Sequence, residues 1–259
     1  MRKYLMLFVV TMLIVQIALP GANRVSASGG QTQVYINEMG NGFDGFEMPP
    51  GVDEADVDWT RADQVGFYKM ADMQVDASGN LYLIPENHYR VYKVTPAGDL
   101  SVFLGLGSYK DRYNNISPNG DQEPAIGKLA NEVGIGRPKS LAIDSHNNIY
   151  IAAESTGNIY KVNASTNLIT DIYVDLLETG RKVENITIDS SGNLYVYQSE
   201  GAGATYHLGK LNVNDASPKV LTPFTKVTLP TGDDRFLHVA VDNVGDLYFL
   251  RAGSNSAVW

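Results

Sequence analysis

The 259-residue chain contains no cysteine, two tryptophans, four histidines and fewer basic than acidic residues. Each shortage removes a class of answer. Without cysteine there is no disulfide framework, no thiolate metal site, no cysteine nucleophile and no lipidated cysteine, so the fold must rest on a core large enough to stand alone. With 29 acids against 20 lysines and arginines the formal charge is −9. A surface that acidic repels phosphate, which excludes nucleic acid as a partner. Also absent are a Gly-x-Ser-x-Gly elbow, a His-Glu-x-x-His pair and a phosphate-binding loop.

The first feature present is an export signature. Met1-Arg2-Lys3 precedes an apolar run from Tyr4 to Leu19, then Pro20-Gly21 and the small residues Val25-Ser26-Ala27. A charged start, an apolar middle and small residues before a cut predict a signal peptide over 1–27. The protein is therefore expected to be secreted or held at the cell surface, with membrane contact only if that segment is retained. Residues 28–66 read as a lead-in rich in Gly, Pro and acids, with one strand at Val34-Tyr35-Ile36. Its acidic cluster, Asp53, Glu54, Asp56 and Asp58, reads as a solvated loop.

From Met70 onward one phrase recurs four times: Asp76-Ala77-Ser78-Gly79-Asn80-Leu81-Tyr82, Asp144-Ser145-His146-Asn147-Asn148-Ile149-Tyr150, Asp189-Ser190-Ser191-Gly192-Asn193-Leu194-Tyr195 and Asp242-Asn243-Val244-Gly245-Asp246-Leu247-Tyr248. An Asp carboxylate accepts bonds from the backbone a few residues on, and Gly or Asn tolerates the positive φ that closes a hairpin. The phrase is thus a folding device. It lacks the alternating oxygens and closing Glu of a calcium loop. The four Asp residues stand 68, 45 and 53 positions apart, the period of a four-stranded propeller blade. The second copy reads as strands at Ser140–Asp144, Asn148–Glu154, Asn158–Asn163 and Leu168–Leu176. The only helical candidate is the short run Ala125 to Glu132.

Val91-Tyr92-Lys93-Val94-Thr95-Pro96-Ala97-Gly98-Asp99-Leu100, Arg137-Pro138-Lys139-Ser140-Leu141-Ala142-Ile143-Asp144, and Gly120-Asp121-Gln122-Glu123-Pro124-Ala125 with Lys128-Leu129 resemble NHL repeats. The resemblance implies an all-β fold over 67–259, an NHL-type β-propeller with three complete blades and a fourth truncated. Such rings usually close with about six blades, so the chain is expected to be a fragment of a longer protein.

Successive strands of a blade are antiparallel, so the repeated hairpins mark one end of each blade and the second-to-third-strand loops the other. Four positions before each repeated Asp stand Asp72, Ser140, Asn185 and His238, each followed by an apolar residue. That alternation fits a buried first strand whose polar members stand near its mouth, where they form the candidate ligand-binding set together with His88 and Arg251 from the loops. The long segment from Gly105 to Pro138 overhangs the same end.

The expected activity is recognition of a protein, peptide or cell-wall glycan, with no cofactor and no catalytic residue. The alternative is a metal-dependent hydrolase or lyase. Gluconolactonase-type propellers, which this strand pattern resembles, place a divalent-metal ligand five positions before the repeated Asp. Here those positions hold Ala71, Lys139, Glu184 and Leu237, and Glu184 alone suits a metal. Similarity to streptogramin-inactivating lyases would make His238 or His88 a base.

Overall fold

The structure, a computed structural model, describes residues 23–26, 33–36, 60–62, 65, 67, 70–86, 88–105, 126–154, 157–173, 181–200, 205–215, 221–228, 235–242, 245–252 and 257–258. The chain divides into two compact units, Met1–Tyr68 with Val94–Ser101 and Lys69–Lys93 with Val102–Trp259. In the first, β1 (Asn23–Ser26) pairs antiparallel with β2 (Gln33–Ile36), and β3 (Thr60–Arg61) pairs with Asp99 and Leu100. Residues 1–22, most of the expected signal segment, lie outside the described residues. Among the described residues no helix is long and apolar enough to cross a membrane.

From Met70 onward the chain is a β-propeller built of sheets whose consecutive strands are neighbours. The first sheet runs β4 (Met70–Val75), β5 (Leu81–Pro85), β6 (Val91–Val94) and β7 (Asp99–Leu104), with β3 as a fifth strand at the β7 edge. The second runs β8 (Pro138–Ile143), β9 (Asn148–Ala153), β10 (Ile159–Asn163) and β11 (Leu168–Tyr173). The third runs β12 (Arg181–Ile188), β13 (Asn193–Glu200), β14 (Thr205–Asn212) and β15 (Thr222–Thr228). The fourth has three strands among the described residues, β16 (Arg235–Val241), β17 (Leu247–Ala252) and β18 (Ala257–Val258). The first strands of consecutive sheets are neighbours, β4 beside β8, β8 beside β12 and β12 beside β16. Sheets meeting along their first strands are blades around an axis.

The second strand of each blade explains why the sequence there reads as continuously apolar. In β9, Ile149, Ile151 and Ala153 pack toward the first sheet with Tyr82, Ile84 and Phe103, whereas Tyr150 and Ala152 pack toward the third with Val183, Ile186 and Leu194. Side chains alternate across a strand, and here both faces are covered, so neither set can be polar. Tyr197 continues the pattern, stacked on Tyr206 at 5.3 Å and edge-on to Phe249 at 6.2 Å.

The repeated Asp residues close the hairpins as expected. Asp144 Oδ1 accepts from the His146 and Asn148 backbone N–H groups, each at 2.8 Å, while Oδ2 accepts from Asn148 Nδ2 at 2.8 Å and from the Tyr150 hydroxyl at 3.1 Å. Asp76 and Asp189 make the corresponding four bonds. Asn147 takes the place of Gly with φ 58°. In the fourth copy Asp246 replaces Asn and brings no amide to Asp242, which keeps the Asp246 N–H and the Tyr248 hydroxyl. The expected helical run resolves differently. A three-residue 3-10 turn, Ala130–Glu132, follows a single bridge between Leu129 and Leu168. Ala130 is needed in the core between the first two blades, and the extended backbone at Leu129 and Val133 stops helix growth on both sides.

Candidate functional site

The first strand of every blade carries the same irregularity. The register slips between Met70 and Asp72 in β4, between Pro138 and Ser140 in β8, between Val183 and Asn185 in β12, and between Phe236 and His238 in β16. Each slip is a β-bulge whose extra residue is Ala71, Lys139, Glu184 or Leu237. A bulge re-aims the side chain beside it, and the residue beside it is in each case one of the four polar residues singled out in the sequence.

Those four form a connected ladder. Asp72 Oδ2 accepts from the Leu141 N–H at 2.9 Å and from the Ser140 hydroxyl at 2.6 Å. Ser140 Oγ accepts from the Ile186 N–H at 3.1 Å and from Asn185 Nδ2 at 2.9 Å. Asn185 Oδ1 accepts from the Val239 N–H at 3.1 Å. Asp72, Ser140 and Asn185 thus each receive the N–H of the next blade's first strand, one residue past its own polar member. At the end, Asn185 Nδ2 lies 3.2 Å from His238 Nε2, and that nitrogen stands 3.9 Å from Asp72 Oδ1.

The exchange leaves little spare chemistry in the buried members. Ser140 is 1% exposed. Its single proton goes to Asp72 and both lone pairs are occupied, which is the full capacity of a hydroxyl. Asn185 is 2% exposed, and Asp72 Oδ1 also holds the Met73 N–H at 2.8 Å. His238 differs, with 40% of its side chain in solvent. The Asp72 carboxylate beside it raises its pKa above the ordinary histidine value; partial burial opposes this, and the Val239 backbone adds to the rise.

The same strand ends carry ion pairs. Lys139 Nζ lies 3.7 Å from Glu184 Oε2, whose other oxygen accepts from the Ser199 hydroxyl at 2.6 Å. Arg137 pairs with Glu154 at 3.1 Å, and His207 Nε2 is hydrogen-bonded to Glu200 Oε2 at 2.6 Å. Arg137, Ser199 and His207 were not singled out in the sequence. The signal available for the last two is the length of β13 and β14, which at eight residues each exceed their counterparts in the second blade and carry polar residues past the apolar run. Glu184, the residue matching a lactonase metal position, is held by Lys139 and Ser199. Among the described residues no three His, Asp or Glu side chains gather as a cation site requires.

His88 packs against Tyr92, with Nδ1 3.4 Å from the hydroxyl, and burial with the nearby Arg90 charge pushes its pKa down to about 4. Arg251 lies in β17 opposite Phe236 and Ala257, and its side chain is outside the described residues. So are Lys110, Asp111, Arg112, Tyr113, Asp121 and Glu123 of the long segment. At the hairpin end the amines of Lys93, Lys161 and Lys210 lie over the rings of Tyr82, Tyr150 and Tyr195 at 5.9, 5.6 and 5.5 Å. These contacts brace strands against each other.

Comparison with known proteins adds the following. A beta-propeller repeat model, SBBP, matches residues 134–161, the segment from the approach to β8 through most of β10. A search among curated proteins found no match. Among solved structures the chain is similar to a streptogramin B lyase at 16% identity, covering 72% of this chain and 52% of that one with a TM-score of 0.41. It is similar to virginiamycin B lyase from Staphylococcus aureus at 16% identity, covering 94% and 81% with a TM-score of 0.41. It is also similar to YCF48 bound to D1 peptide, at 10% identity, covering 92% and 57% with a TM-score of 0.43. The chain spans about half the length of several of the solved chains it matches. These likenesses assign neither ligand nor reaction to this chain.

Proposed function

We propose that this is a secreted or surface-held NHL-type propeller that recognises a protein or peptide partner, using the strand ends around His238. One observation carries the reading. The buried polar groups of the inner strands are consumed by bonds between blades, while partly exposed groups at the same ends, His238, the Lys139–Glu184 pair and the Arg137–Glu154 pair, carry both signs of charge. Rigid strands with fixed backs and charged rims suit binding whose specificity comes from charge complementarity.

The experiment is a direct binding measurement on the full chain. A panel of surface-protein ectodomains and their peptides is compared with purified cell-wall glycan by interferometry. Reversal of the rim by Lys139→Glu should weaken the best protein ligand at least about tenfold. Ala77→Glu, an exposed change at the hairpin end, should leave it unchanged. Equal losses from both variants, or binding to glycan alone, would overturn the assignment.

A second reading has one observation in its favour. His238 is an imidazole in partial contact with solvent, backed by the Asp72 carboxylate at 3.9 Å, the arrangement of a general base in a lyase. Turnover of a lactone or cyclic ester substrate that disappears in His238→Ala would select it over recognition.

A further inference from the structure

We infer that His238 is a proton-operated switch between two partners, the Asn185 amide when the imidazole is neutral and the Asp72 carboxylate when it is charged, so that acidification ties the fourth blade to the first.

The inference starts from the orientation of Asn185, which three bonds fix. Its Oδ1 must be the end facing Val239, because that neighbour is an N–H donor at 3.1 Å. Its Nδ2 must be the end facing Ser140, because the Ser140 proton is committed to Asp72 and the oxygen can only accept. The group 3.2 Å from His238 Nε2 is therefore a donor. A neutral ring with its proton on Nδ1 satisfies it by accepting at Nε2. A charged ring carries protons on both nitrogens and cannot. The same Nε2 faces Asp72 Oδ1 at 3.9 Å, an ion-pair distance one small rotation short of a hydrogen bond. One nitrogen thus stands between a donor and an anion, and its proton decides which it serves.

Among the described residues, the other groups packed around the ring do not compete. From β8 comes Ser140, neutral and already saturated. β12 brings Asn185, and the adjacent Glu184 is turned to Lys139 and Ser199. From β17 the cross-strand partner is Leu250. Among the described residues, Asp72 on β4 is the charge that acts on His238. The ladder explains why the change has reach. The first three polar members each receive the next blade's N–H, but the Met73 N–H is held by Asp72 itself. Between the fourth blade and the first, the His238–Asp72 contact stands in the place of that bond. Exposure of the ring lets solvent supply the proton.

The test is an NMR titration of the full chain, labelled at the histidine imidazoles and asparagine amides, between about pH 5 and 9. The expected result is a His238 midpoint above 6.5. Nε2 should change from an acceptor to a protonated signature, and the Asn185 side-chain amide should shift at the same midpoint. Asp72→Asn keeps an oxygen for Ser140 and Leu141 and should bring the midpoint to the ordinary value or lower. If that variant fails to fold, His238→Gln serves: it accepts from Asn185 at every pH, and the pH step in blade-four amide exchange should vanish. A wild-type midpoint at or below 6.5, an Asn185 amide that ignores the titration, or an exchange step that survives in His238→Gln would each overturn the switch. None of these readouts depends on a ligand.

Discussion

Asn185 and Val239, 54 positions apart in the chain, are joined by a 3.1 Å hydrogen bond from the Val239 N–H to the Asn185 carbonyl oxygen, with Asn185 almost fully buried. The bond crosses from one blade to the next and belongs to a series that Asp72 and Ser140 begin. Replacing Asn185 by Asp keeps the acceptor for Val239 but puts a second carboxylate beside Asp72 with no amide for Ser140. The variant should lose about 3 kcal/mol at neutral pH, and part of that should return as the pH falls and the new acid is protonated. Urea unfolding at neutral and mildly acidic pH measures both.

Ser140→Ala should cost roughly 2–4 kcal/mol, far more than one hydroxyl usually contributes, because it strands the Ile186 N–H and one Asn185 donor in a buried setting. Ser145→Ala, at an exposed hairpin, should be neutral within about 0.5 kcal/mol. Denaturant midpoints of the two variants give the comparison.

Tyr150→Phe removes the hydroxyl from Asp144 and should cost about 1 kcal/mol. Burial pushes the Asp144 carboxyl up, but bonds from Asn148, His146 and Tyr150 outweigh it and hold its pKa below the usual value. A depressed carboxyl lends stability that is complete above its unfolded pKa and disappears as pH drops through the folded one. Thermal melts of Tyr150→Phe between neutral and acid pH should therefore show a smaller acid loss than the parent.

His88 works in the opposite sense to His238. Its pKa falls from 6.5 to about 4 through burial and the Arg90 charge. The unfolded chain therefore takes up a proton that the folded one refuses, and stability falls as the pH drops from 6.5 toward 4. His88→Gln should relieve roughly 2 kcal/mol of that loss, read as a flatter stability curve over this window. His238, with a raised pKa, lends stability that is complete below 6.5 and is lost as the pH climbs through its folded value.

The hairpins and the second strands were legible because their causes are local. Asp144, Asn148 and Tyr150 are bound to one another within six positions, and β9 shows no polar alternation from Ile149 to Ala153 because it is covered on both sides. The bulges were not legible. Their extra residues, Ala71, Lys139, Glu184 and Leu237, share no chemistry, since a bulge is a property of backbone register. The ladder lay between these cases. A carboxylate, a hydroxyl and an amide look unrelated as ligands, yet each offers an acceptor, and a blade needs only an acceptor for its neighbour's N–H. The one helical candidate, Ala125 to Glu132, holds a three-residue 3-10 turn among its described residues, because the Leu129–Leu168 bridge and the burial of Ala130 fix the backbone there.

Tyr150 and Ile151 are consecutive residues that belong to different interfaces, one turned toward the third sheet and the other toward the first. A wound anywhere along β9 is therefore felt on two sides, whereas one in the fourth sheet loosens the packing of Tyr197 against Phe249 and leaves the contact between the first two sheets untouched. Amide protection should therefore be highest from Ile149 to Ala153, which neighbouring sheets cover on both faces.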